Sequence, residues 1–199
     1  MNHQNNKHNK VIEAFKQKIK GKEISNPDKS GLLFAIDLLF DLVVIIGLVF
    51  LIRTFVISPF QVYGPSMCNT INFINNECES TYGEYIIVNK AAYLVGKPQR
   101  GDIIVLHPPQ NHDQYYIKRI IGLPGDTVEL KNGQVYLYTS QHPEGVKIEE
   151  NYLNEVNKGN TQPMSEDGTV YKVPEGKYFV MGDNRTKSSD SRACFKESL

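Results

Sequence analysis

The hydropathy of the chain changes character twice. A polar, Asn- and Lys-rich leader occupies residues 1–31, an apolar run extends from Leu32 to Ile57, and short alternating segments fill the remainder. Within the leader, Val11, Ile12, Phe15 and Ile19 recur at helical spacing, which predicts a short amphipathic helix on a membrane surface that ends at Asn26-Pro27. The apolar run is interrupted by Asp37, Asp41 and Arg53, and its cleanest stretch is Leu42 to Ile52. A bilayer core requires roughly 20 apolar residues in a helix. Residues 32–57 meet that length if the aspartates lie near one interface and Arg53 near the other. A buried amphipathic helix is the alternative. The run starts late, is long, and lacks a small-residue cleavage site after it, so it reads as a single uncleaved anchor.

Beyond residue 58 the pattern becomes that of β-structure. Glu84–Asn89, Asp102–Leu106, Tyr115–Ile121, Thr127–Leu130, Gln134–Tyr138 and Tyr178–Met181 are short and rich in β-branched or aromatic residues. Asn132-Gly133 between two alternating segments predicts a tight hairpin. The polar, turn-rich stretch Thr139–Pro174 predicts an excursion from the sheet. Frequent short strands without intervening helices predict a mainly β fold, an antiparallel coiled sheet or barrel-like domain over 58–199 behind a single N-terminal transmembrane helix over 32–57.

Charge then orients the chain. Lys and Arg total 22 and Asp and Glu total 22, so no global field recruits nucleic acid. Residues 1–30 nevertheless carry seven lysines against Glu13, Glu23 and Asp28. A lysine excess marks the cytoplasmic flank of a spanning helix, which puts the β-rich part outside the plasma membrane and leaves the N-terminus cytoplasmic. In an extracytoplasmic domain a Cys68–Cys78 disulfide is permitted; three unpaired thiols, with Cys194, are the equal alternative. No His/Cys spacing suits zinc, and no cofactor is expected.

Two residues suggest the chemistry. Ser66 lies in Gly64-Pro65-Ser66-Met67 and Lys118 in Tyr116-Ile117-Lys118-Arg119-Ile120. A serine hydroxyl is a weak nucleophile until a base takes its proton, and an ammonium becomes such a base only when burial lowers its pKa. Lys118 has the apolar neighbours that burial requires. A third segment, Gly182-Asp183-Asn184-Arg185 through Ser188 to Asp190-Ser191-Arg192, supplies turns, hydroxyls and an Asp–Arg pair suited to bracing a neighbouring site.

Taken in order, these segments resemble the bacterial type I signal peptidases. The matching blocks are the anchor, Pro59–Met67, Arg100–Val105, Tyr116–Asp126 and Gly182–Arg192, together spanning Leu42 to Arg192. The resemblance implies a membrane-bound serine endopeptidase that removes signal peptides from exported preproteins after small residues of Ala-x-Ala type. It makes Ser66 the nucleophile, Lys118 the general base, and Ser188 a hydrogen-bond partner that orients the lysine. Asp183, Arg119 and Arg192 become supporting residues, Phe60, Val62, Tyr116 and Ile117 line the substrate pockets, and the Ser66 N–H becomes an oxyanion donor. Partners are preproteins and the lipid bilayer.

Three departures stand out. Gly64 occupies the position at which many members of the family carry a serine whose hydroxyl is a second oxyanion donor. Asn69 replaces the usual proline, which predicts a looser or differently bent turn. After Arg192 relatives usually continue through a further strand, whereas this chain stops at Leu199. The first and last of these points, Gly64 and the early end, leave a catalytically inactive membrane-anchored scaffold on the same fold as the alternative reading. A soluble self-cleaving Ser/Lys repressor lacks the anchor and has a DNA-binding domain absent here. A Ser/His hydrolase using His107 or His112 would need those surface-like residues to be buried.

Overall fold

The computed structural model describes residues 27–109, 112–164 and 168–194. The leader helix expected around Val11–Ile19 and the tail beyond Cys194 lie outside them. The chain divides into two units, residues 1–52 and 53–199.

In the first unit helix α1, Pro27–Leu51, begins on a proline whose missing N–H would have no intrahelical partner there anyway. It is apolar on every side, and each described side chain from Ser30 to Leu51 is exposed. Together with the π-helical stretch Ile52–Val56 that follows, it gives a segment Ser30–Val56 with mean hydropathy 2.8, long and apolar enough to cross a membrane. A helix apolar all round needs hydrocarbon or protein around it, and among the described residues this segment is exposed along its length.

The second unit is β-rich. Strand β1, Ile57–Tyr63, pairs antiparallel with β4, Tyr82–Asn89, in the register Phe60↔Ile86, with an irregularity between Gln61 and Tyr63. Between them lies a small hairpin of β2, Phe73–Ile74, and β3, Glu77–Cys78, turning through Asn75 and Asn76, both at positive φ. A short helix α2, Ala92–Val95, follows β4; the Asn89 side chain accepts from the Ala92 N–H at 3.2 Å.

Strands β5 (Ile103–Leu106), β6 (Tyr116–Gly122) and β11 (Phe179–Met181) form a three-stranded antiparallel sheet in the order β11-β6-β5. Strands β7 (Thr127–Lys131), β8 (Gln134–Tyr138), β9 (Val146–Lys147) and β10 (Val170–Lys172) form a second, in the order β10-β7-β8-β9. Alternation along β7 and β8 buries Val128, Leu130, Val135 and Leu137 on one face, where they meet Val173 just after β10 and Ile121, Phe179 and Met181 from the other sheet. This cluster is the core, and β6 is its central support.

Strand positions follow the sequence expectation closely from β4 to β8. Two differences appear. The serine box forms β1, a strand that tolerates Pro59 because β1 has a neighbour on one side only. The polar stretch 139–174 is not wholly an excursion, since β9 and β10 return to cover both edges of the β7–β8 hairpin.

Candidate active site

Lys118 stands at the middle of β6, opposite Ile104 of β5, with β11 on the other side of the strand. The period-two geometry of a strand turns Lys118 and Ile120 to the same face, and both are buried, Lys118 to 4% exposure. Its ammonium donates to Ser66 Oγ at 3.0 Å and to the Ile117 carbonyl at 2.9 Å, and it sits 5.1 Å from the centre of the Tyr116 ring. Loss of water around the amine pulls its pKa down to about 8, against a smaller upward pull from Asp190.

Ser66 follows β1 in a single helical turn. The Cys68 N–H donates to Pro65 O at 3.0 Å, and the Thr70 and Ile71 N–H groups donate to Met67 O at 3.1 and 2.9 Å. Met67 and Cys68 are wholly buried, whereas Ser66 is half-buried, so the turn is anchored behind Ser66. Asn69 has φ 76°, a conformation that a proline ring, locked near −65°, cannot take. The departure from the family pattern is thus a different turn with its own backbone solution.

The segment after β11 closes over this turn. The Asn184 N–H donates to Ser66 O at 3.0 Å and its side-chain amide to Pro65 O at 3.0 Å. Gly182 is pressed against both serines: a Cβ there would stand 2.4 Å from Ser66 O and 2.2 Å from Ser188 Oγ. Ser188 is therefore beside the dyad. Its hydroxyl is buried without a hydrogen-bond partner among the described residues, so the expected bond to Lys118 is not formed. The lysine instead directs its amine to Ser66 and to its own strand.

Ion pairs brace the site from behind. Arg119, the neighbour of Lys118, forms a bidentate pair with Asp183 at 2.9 and 2.6 Å and donates to Gly101 O at 2.8 Å. Asp183 also accepts from the Thr70 hydroxyl at 2.5 Å, which joins the β6 strand to the nucleophile turn. Arg192 pairs with Asp190 at 2.8 and 2.9 Å and donates to Arg185 O, while Asp190 accepts from the Gly182 N–H at 3.0 Å. Arg185 pairs with Glu150, and Tyr152 stacks under Arg119 with its ring centre 4.0 Å from the guanidinium carbon.

Of the pocket residues expected from sequence, Val62 is buried, and Phe60, Tyr116 and Ile117 are half-buried on β1 and β6. Phe60 also packs against Tyr115 at 5.1 Å between ring centres. His107 and His112 are exposed, as surface residues would be, and His107 stacks on Tyr115. Cys68 and Cys78 are joined by a disulfide, which decides between the two open alternatives. Among the described residues there is no cluster suited to a metal ion. Thr70, Asn72, Asn184, Glu150 and Tyr152 were not singled out by sequence reasoning. Asn184 lies inside a matching block and Thr70 just beyond the serine box, so both could have been; Glu150 and Tyr152 sit in the polar stretch, where nothing in the pattern marks a residue that folds back onto an arginine.

The profile of the family described as signal peptidase, peptidase S26, matches residues 35–196. The chain belongs to that family. It is 41% identical over 155 residues to signal peptidase I S of Bacillus subtilis, covering 76% of this chain and 74% of that one. It is 39% identical over 154 residues to a signal peptidase I of Bacillus licheniformis, with 76% and 74% covered. A signal peptidase I of Enterococcus faecalis of known crystal structure is 38% identical, with a TM-score of 0.37 over 49% of this chain and 86% of that one. The protein is accordingly a signal peptidase, a hydrolase of the S26 class, with an N-terminal apolar helix that fits a membrane anchor.

Proposed function

We propose that this signal peptidase cleaves exported preproteins after small residues of Ala-x-Ala type with Ser66 as nucleophile and Lys118 as general base. One observation carries the reading: the Lys118 amine is 3.0 Å from Ser66 Oγ, buried, with a pKa near 8. At pH 7 such an amine is neutral in about a tenth of molecules, against fewer than about one in a thousand for a free lysine. The neutral form accepts the Ser66 proton as Oγ attacks the scissile carbonyl, so one base serves without a histidine.

The tetrahedral oxyanion faces the Ser66 N–H, which the backbone bonds of its turn do not use. Collapse breaks the C–N bond; the Lys118 ammonium gives its proton to the departing amine of the mature protein, and the signal peptide stays as an ester on Ser66. Neutral Lys118 then takes a proton from water, whose oxygen attacks the ester; the C–Oγ bond breaks, Lys118 returns that proton to Ser66 Oγ, and the signal peptide leaves as a carboxylic acid. Ser188, Asp183, Arg119 and Arg192 support the dyad. Phe60, Val62, Tyr116 and Ile117, apolar and close to it in sequence and strand, form shallow pockets that exclude large side chains.

Substrate arrives from a membrane. The apolar segment Ser30–Val56 acts as a single-pass anchor in the plasma membrane, and the lysine-rich leader keeps the N-terminus cytoplasmic and residues 58–199 outside. The Cys68–Cys78 disulfide supports an oxidising compartment for this part. The test is cleavage of a membrane-inserted preprotein ending its signal in Ala-x-Ala by wild type, Ser66→Ala and Lys118→Ala. Loss of correct cleavage in both variants is expected; retained cleavage in either refutes the dyad.

A further inference from the structure

The disulfide closes its loop immediately after the nucleophile, and one residue inside that loop reaches back to the nucleophile's own strand. Cys68 is two positions beyond Ser66 and wholly buried; its partner Cys78 lies on β3. Within the closed loop Asn72 is 0% exposed and has φ 68°. All four of its polar groups are bonded. The side-chain amide donates to Gly64 O at 3.1 Å and the side-chain carbonyl accepts from the Glu84 N–H at 2.8 Å. The backbone N–H donates to the Glu84 carboxylate, and the backbone carbonyl accepts from the Glu79 N–H at 2.9 Å. Residue 83 is glycine where a Cβ would stand 1.9 Å from the Asn72 side-chain oxygen. Only a glycine at 83 lets the Asn72 amide pass this close to β4.

The bonded groups form a sequence that ends at the reacting atoms. Gly64, at φ 84°, donates its N–H to Thr81 O at 3.0 Å and has its carbonyl held by Asn72, so the chain is fixed on both sides of it. The next carbonyl, Pro65 O, accepts from the Cys68 N–H and from the Asn184 side chain. A peptide unit is planar, with its C=O and N–H opposed. Holding Pro65 O therefore sets the direction of the Ser66 N–H. We propose that Asn72 is a positioning residue for the nucleophile and its oxyanion donor, kept in place by the Cys68–Cys78 bond. The inference rests on Ser66 being the nucleophile.

The covalent bond makes this arrangement redox-sensitive. A dithiol supplies two electrons and two protons, the S–S bond breaks to two thiols, and the dithiol leaves as its own disulfide. The two-residue strands β2 and β3 then hold the loop with little besides Asn72 itself. Lys118 belongs to β6, outside the loop, and its strand stays paired with β5 and β11 when the bond breaks.

The test uses the full chain in detergent with a signal-sequence substrate, comparing oxidised wild type, the same protein reduced by dithiothreitol, Asn72→Gly, and Cys68→Ala/Cys78→Ala. Glycine accepts the positive φ of Asn72 and removes only the side-chain bonds. Per folded molecule, kcat is expected to fall about tenfold in reduced wild type and in Asn72→Gly, with KM changed less than about twofold and the pH midpoint unmoved. Reoxidation restores wild type, and the double cysteine variant ignores the reductant. Unchanged kcat in both reduced wild type and Asn72→Gly, a loss confined to KM, or a displaced pH midpoint overturns the proposal. If the double variant does not fold, reduction, reoxidation and Asn72→Gly decide alone. Cleavage retained by Ser66→Ala overturns the nucleophile assignment and this inference with it; an inactive Ser66→Ala alongside an indifferent disulfide overturns this inference only.

Discussion

The Lys118 amine lies 3.0 Å from Ser66 Oγ, although 52 positions separate the two residues in the chain. Ser66 comes from a turn after a two-stranded sheet and Lys118 from the middle strand of a three-stranded one. Two links hold these pieces together. The Arg119–Asp183–Thr70 contacts tie β6 to the turn, and Asn184 ties the turn to the segment after β11. A lysine alone would be pushed out by its desolvation cost; here the buried ion pairs beside it fix the strand that carries it.

The first consequence is a pH profile. In the proposed mechanism neutral Lys118 is the active form, so turnover of wild type is expected to rise with pH through a single ionisation with a midpoint of about 8. Initial rates with saturating substrate between pH 6 and 10 measure it. A midpoint near 10.4, the value of a free lysine, would mean that the base is not desolvated.

Stability has the same origin with its own sign. The folded-state pKa of Lys118 is below its unfolded value of 10.5, so the unfolded chain binds the extra proton. Burial of the charge then costs stability fully below about pH 8, and the cost fades as pH rises from 8 to 10.5. Lys118→Met removes that dependence. The variant is expected to be more stable than wild type at pH 7, by up to about 3 kcal/mol, with the difference closing above pH 10. Denaturant melts of both proteins at pH 7 and at the alkaline limit test this.

Much of this was legible in the sequence. The apolar helix, strands β4 to β8, the Asn132-Gly133 hairpin and the Ser66, Lys118 and Gly182–Arg192 blocks were readable because each has a local cause: period, turn chemistry or motif. What was not legible depends on contacts made across the chain. Glu150 and Tyr152 look like ordinary polar-loop residues until the loop folds onto Arg185 and Arg119. Ser188 was expected to bond Lys118, but the direction of a lysine amine is set by its three-dimensional neighbours, here Ser66 Oγ and Ile117 O. The serine box formed a strand because β4 was available to pair with it, which no alternation within Ser58–Tyr63 announces.

Asp190 acts on the dyad through charge. It raises the Lys118 pKa against the effect of burial, so Asp190→Asn should move the pH midpoint of turnover to the acid side of wild type. The same substitution removes the partner of Arg192, 2% exposed, and leaves a buried guanidinium without its carboxylate. A stability loss of about 3–5 kcal/mol is expected on that ground. Rate profiles on the folded fraction, with denaturant melts alongside, separate the two effects; an unmoved midpoint in folded protein would remove Asp190 from the electrostatics of the base.

Asp183 connects β6 to the turn that carries Ser66. It accepts two bonds from Arg119 and one from Thr70, and it is 1% exposed. Asp183→Asn keeps the shape, removes the charge, and offers an amide N–H₂ where Arg119 and Thr70 both present donors. Whichever oxygen becomes the amide, at least one of the three bonds is lost or replaced by a donor–donor clash, and the tie between β6 and the Ser66 turn is weakened. Because Ser66 and Lys118 must stay within hydrogen-bond reach for proton transfer, a displacement of about 1 Å is expected to lower kcat by one to two orders of magnitude. KM should change little, since Asp183 is behind the site and substrate does not reach it. Thr70→Val, which removes the hydroxyl bond alone and leaves the ion pair to Arg119 intact, should reproduce part of the loss in kcat with a smaller loss of stability. A Thr70→Val enzyme with full turnover would show that the ion pair braces the fold without guiding the nucleophile.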